Sequence, residues 1–140
     1  MAEGGIGKFF KEIQPFLTAQ GVRLPEIVNE STTDGYVVRV GGVLHTIYDA
    51  AELKQDCVRE KPGHIWGLAM ARGFKIVNDL LAQAGSAERV YAVNGGNDLS
   101  ALFLTPELFR IVMAHPDATP PYGPYQPTEE YPWYGAPHDE

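Results

Sequence analysis

A chain of 140 residues, 44% hydrophobic and 21% charged, has the size and composition of one globular domain rather than of an unfolded chain. Its 18 acidic residues outweigh 11 basic ones, and a net charge of −7 excludes the basic footprint that a nucleic-acid binder uses to neutralise phosphates. The single cysteine, Cys57, excludes an internal disulfide and favours a reducing compartment.

Residues 1–10 hold no apolar run of signal-peptide length, and nowhere do about 18 apolar residues follow one another. The expected location is the cytoplasm, without membrane contact. The charge is uneven: after Arg110 there is no lysine or arginine, while Asp117, Glu129, Glu130, Asp139 and Glu140 follow. Two readings fit this acidity. It serves solubility alone, or it speeds encounter with a basic partner.

Ile6, Phe9, Phe10, Ile13, Phe16 and Leu17 recur at three- and four-residue spacings, which predicts an amphipathic helix over 6–19. Pro15 should kink it or end it early, and Gly21 suits its C-terminal cap. Residues 24–29 read as a short strand weakened by Pro25, and 30–34 as a polar turn. The clearest hairpin spans 35–48, two β-rich runs around Gly41-Gly42. A two-residue turn there pairs Val40 with Val43, Val38 with His45 and Tyr36 with Ile47, and makes those six the core face. Asp49, with Glu52 three residues later, predicts the start of a short helix reaching about residue 58.

The longest expected helix covers 64–84, with Trp66, Met70, Gly73, Phe74, Val77, Leu80 and Leu81 on one stripe. Trp66, Phe74 and Val77 should face the sheet. Gly67 and Gly73 suggest close approach of a neighbour, and Gly85 ends the helix. A second hairpin joins strands at 89–93 and 99–104; its turn is either Gly95-Gly96 alone or a longer loop over 94–98. Thr105-Pro106 then starts a helix carrying Leu108, Phe109, Ile111 and Val112 and ending near His115-Pro116.

Residues 118–140 differ, with six prolines and with Tyr122, Tyr125, Tyr131, Trp133 and Tyr134. Proline at this density forbids regular helix or central strand. Five aromatics are costly to leave in water, so this tail either seals one face of its own sheet or anchors a partner.

The four histidines stand far apart, without the short spacing of zinc ligands, so no metal or cofactor is expected. Cys57, in the charged run KQDCVRE, lacks a local nucleophile pattern. Gly4-Gly5-Ile6-Gly7 precedes a helix but follows no strand and lacks a phosphate-loop lysine, so it reads as a flexible terminus. Asn97-Asp98 at a hairpin tip is turn chemistry or a binding contact.

Several pieces together resemble small immunity proteins of bacterial polymorphic-toxin and type VI secretion systems. They are Ile47-Tyr48-Asp49, Trp66-Gly67, Phe74 with Ile76-Val77-Asn78, Tyr91-Ala92, Gly95-Gly96-Asn97-Asp98 and Phe103-Leu104-Thr105. The resemblance covers about half the chain. It implies a cytosolic antidote that binds a cognate toxin, without catalysis, cofactor or metal.

The expectation is therefore an α+β domain over 1–117, two hairpins with a long helix packed on one face, and a tail over 118–140. The expected function is neutralisation of a basic protein toxin by occlusion of its active site. The expected contact residues are Asn97, Asp98, Glu129, Glu130, Trp133 and Tyr134. Two alternatives stand beside it: a small hydrolase or transferase using Asp98, His45 or Cys57, and a structural subunit assembling through its tail.

Overall fold

Gly41 and Gly42 both take positive φ, 58° and 83°, the conformation a primed two-residue turn requires. The computed structural model describes residues 3–60, 63–95, 98–119 and 122–130. In it this turn joins β2 (Gly35–Val40) to β3 (Val43–Asp49), with Val40 opposite Val43 and Val38 opposite His45 as the two-residue turn predicts. A bulge between Tyr36 and Val37 then shifts the register, so Tyr36 pairs with Tyr48 and not with Ile47. Tyr36, Val38, Val40 and Ile47 are buried, but Val43, at the overhanging turn, is 59% exposed.

β1 (Ile27–Thr32) completes a three-stranded antiparallel sheet in the order β1-β2-β3. It begins later and ends later than expected, so 30–32 are strand and the turn shrinks to Thr33-Asp34. Two contacts explain the shift. Thr32 Oγ1 accepts the Asp34 amide at 3.2 Å and closes the turn. Arg39 Nε donates to Glu30 at 3.2 Å across the strands and keeps that polar segment in the sheet.

α1 (Gly5–Ala19) continues through Pro15, which lies exposed, instead of ending there. Its first turn is not a loose terminus. Gly4 offers no capping side chain, so the sheet caps the helix instead. The Ile6 amide donates to Tyr36 Oη at 3.3 Å and the Gly7 amide to Asn29 Oδ1 at 3.2 Å, while the Tyr36 hydroxyl donates to the same Oδ1 at 2.5 Å. A Cβ on Gly7 would run into the Asn29 side-chain amide, so only glycine lets the helix sit this close.

Asp49 and Glu52 form the capping box that opens α2 (Ala50–Cys57). α3 (His64–Gln83) is again capped from a distance: Gly63 has no side chain to offer, and Asp56 of α2 accepts the Gly63 and His64 amides at 2.9 and 2.7 Å. A buried carboxylate at a helix N-terminus also complements the helix dipole. α3 then passes between the sheets, touching both β3 and β4. Phe74, Val77 and Leu81 are buried, Phe9 stacks on Phe74 at 5.3 Å, and Gly85 ends the helix with φ of 76°. Burying one side chain such as Phe74 contributes about 2–3 kcal/mol. Trp66 departs from expectation. In the first turn of α3 it is 64% exposed instead of buried against the sheet.

β4 (Arg89–Val93) and β5 (Ser100–Leu104) form a separate two-stranded antiparallel sheet, with Val93 opposite Ser100. The connection is therefore the longer loop, not Gly95-Gly96 alone. α4 (Pro106–Met113) follows at once, with Pro106 in its first turn and Thr105 Oγ1 accepting the Leu108 amide at 3.2 Å. The architecture is α+β, with four helices among the described residues.

Candidate partner-binding surface

Antiparallel neighbours leave alternate residues of β4 with their amides turned away from β5. Val90 and Ala92 are those residues, and both are satisfied by other parts of the chain. Asn78 of α3 accepts the Val90 amide at 2.7 Å through Oδ1. Ala92 exchanges two 2.8 Å backbone hydrogen bonds with Tyr125. The Tyr125 hydroxyl donates to the Asn94 carbonyl at 2.5 Å, and Gly123, Pro124 and Tyr125 are buried. Residues 122–130 lie on their own domain, with Tyr125 paired to the outer edge of β4 and Glu129 reaching Arg72.

Farther along, Glu129 closes a node centred on Arg72. The guanidinium donates to both oxygens of Glu52 at 2.8 and 3.0 Å, to the Ile47 carbonyl at 2.9 Å and to Glu129 at 2.6 Å. The bidentate Arg72 contact, together with the Asp49 amide, holds the Glu52 carboxyl below its usual range against the opposing effect of burial. One half-buried side chain thus ties α3 to α2, to β3 and to the tail.

The outer face of the hairpin carries the uncommitted apolar surface. Tyr91 and Leu102 face the same side of the ladder. Phe109 of α4 stacks on Tyr91 at 4.2 Å with rings 5° apart, and burial raises the Tyr91 hydroxyl above its ordinary value. α4 spends Phe109 on this attachment. Its other flank is open, with Leu108 48% and Ile111 61% exposed, and no residue of the helix is buried. On the inner side Phe16 stacks on Phe103 at 5.5 Å while remaining largely exposed.

Of the residues expected to make contacts, Asp98 lies exposed in the β4–β5 loop, its amide bonded to the Gly95 carbonyl at 3.2 Å. Glu130 is exposed, its carbonyl accepting the Thr128 hydroxyl. Glu129 is engaged by Arg72. Asp98 shares no hydrogen bond with either glutamate. Asn97, Trp133 and Tyr134 lie outside the described residues. The apolar flank of α4 was missed by sequence reasoning, although the spacing of Leu108 and Ile111 was its signal.

The residues of the alternative, enzymatic reading occupy different places. His45 lines a cleft of about 220 Å³ with Arg72, Lys75, Asp79 and Glu129. Cys57 is exposed at the end of α2, and Asp98 is in the distant-sequence loop. A second groove, about 420 Å³, runs between α1 and β1 past Lys8, Lys11 and Asn29. Among the described residues no group of three or more His, Cys, Asp or Glu is placed to hold a metal ion, and no helix is long and apolar enough to cross a membrane. No protein-family model, no curated protein and no solved structure matches the chain.

Proposed function

We propose that this chain is a non-catalytic binding protein of the immunity type, neutralising a cognate basic toxin in the cytoplasm by covering its active site. The observation that carries the reading is α4, a capped helix that holds Leu108 and Ile111 in water. Large apolar side chains displayed in water are what binding surfaces use as anchors. Asp98 and Glu107 stand exposed on either side of β5, and the net charge of −7 favours a basic partner. In this reading Glu130, and Asn97, Trp133 and Tyr134 on sequence grounds, extend the contact, while Glu129 acts indirectly by fastening the tail to Arg72. The reading involves no metal or cofactor.

The test uses the full chain as bait in a native-cell extract, followed by kinetics with the purified partner over a salt series. The expected partner is a basic protein whose activity disappears at saturation. Leu108→Asp with Ile111→Asp should weaken binding at least tenfold with an unchanged melt, and association should slow as salt rises. A partner that stays active when saturated, or no partner at all, sinks the reading.

A further inference from the structure

β5 has an open edge. Since Val90 and Ala92 turn their amides away from β5, the residues opposite them, Phe103 and Ala101, turn theirs away from β4. Among the described residues nothing accepts or donates at these outward groups of Ala101 and Phe103. Proteins normally blunt such an edge with a charge, a proline or a bulge. β1, an edge of the other sheet, carries Glu30, and the β2–β3 pairing is bulged. β5 reads Ser-Ala-Leu-Phe-Leu, has none of these devices, and pairs with β4 in unbroken register.

We infer that the β5 edge is a strand-addition site for an extended segment of the protein partner, apolar at alternate positions and carrying a Lys or Arg near each end. This deepens the binding reading and rests on it. Residues 99–106 carry no charge, whereas Asp98 and Glu107 stand exposed just beyond the two ends. A neutral ladder with an acid at each end complements a neutral strand with a base at each end. Backbone hydrogen bonds supply the attachment, and the end charges set the preference. A second copy of this chain fits worse. Antiparallel pairing about Leu102 would set Asp98 of one copy beside residue 106 of the other, next to its Glu107, acid against acid.

The probe is the peptide acetyl-Lys-Val-Thr-Val-Thr-Val-Lys-amide, titrated into the full ¹⁵N-labelled chain. The largest amide shifts should fall at Ala101 and Phe103. A peptide ending in glutamates, or one N-methylated at both its central valine and an adjacent threonine so that an amide facing β5 is lost in either register, should bind at least tenfold more weakly. Ala101→Pro removes an outward amide without touching the β4–β5 bonds and should have the same effect. The altered peptides act on the unchanged protein, so they decide the matter even if Ala101→Pro fails to fold. Shifts centred elsewhere, equal binding of the altered peptides, or sedimentation as a dimer through this edge overturns the inference. The two readings fail separately. A partner that binds wild type and Ala101→Pro equally overturns strand addition and leaves the binding reading standing. A chain that captures no partner but takes the peptide at Ala101 and Phe103 overturns the binding reading alone.

Discussion

α3 and α4 both carry apolar side chains at helical spacing, and the chain uses them in opposite ways. α3 lies between two sheets and buries ten of its residues; α4 lies outside the second sheet and buries none. The attachment differs in kind as well. α3 is held by Phe74, Val77 and Leu81 in the core, by Asn78 on β4 and by Arg72 on α2, β3 and the tail. α4 is held by its cap, by its neighbour β5 and by one stacked ring pair, Phe109 on Tyr91. An apolar stripe states which face of a helix avoids water. Whether the chain itself covers that stripe depends on which layers lie beside it.

The contrast breaks most visibly at Phe74. Phe74→Ala leaves a cavity in the core beside Phe9 and should destabilise the fold by about 3–5 kcal/mol in urea melts. A loss under about 1 kcal/mol would mean that α3 is not the central layer. A smaller effect concerns the charged side of α3's attachment. The Glu52 carboxyl is held below its ordinary value of 4.5, chiefly by Arg72. A depressed carboxylate contributes stability above the unfolded value and loses it as pH falls through the folded one. The Arg72 node should therefore weaken below about pH 4.5. Glu52→Gln should lower stability by about 1–2 kcal/mol at neutral pH and flatten the acid side of the profile. Parallel profiles for the two proteins would remove the node from any role in acid stability. The smallest effect belongs to α4. Ile111→Ser should change stability by no more than about 0.5 kcal/mol, since the side chain is already in water. Calorimetry showing a loss of about 2 kcal/mol would put Ile111 in the core and end the contrast.

What was legible in the sequence was local. The Gly41-Gly42 turn, the Asp49–Glu52 capping box and the Thr105-Pro106 helix start each rest on residues within a few positions of one another, and each is present. Misplaced features depend on distant partners. Trp66 sits on the apolar stripe of α3, yet it is exposed while Ile65 and Ala69 beside it pack on the core. Gly4 to Gly7 read as a loose end because Asn29 and Tyr36, which hold the first turn of α1, lie 22 and 30 residues away. Arg72 has no local signal, since its partners Glu52 and Glu129 are 20 and 57 residues distant. For the candidate surface the place of Asp98 in a loop between two strands was legible from the glycines before it. The open flank of α4 had a signal in the spacing of Leu108 and Ile111, but its exposure, like the bare edge of β5, is defined by what fails to cover it.

β4 also offers a way to watch three parts of the molecule through one strand. Its amides alternate in what shields them from exchange with solvent. Ala92 is shielded by Tyr125, Val90 by Asn78 of α3, and Tyr91, on the inward side, by β5. Deuterium uptake at Ala92 thus times the detachment of residues 122–130, and uptake at Val90 times the parting of α3 from the strand. Uptake at Tyr91 waits for the hairpin itself to open. Each lifts with its own opening free energy, so three neighbouring signals rank the local stabilities of tail, helix and hairpin in a single experiment.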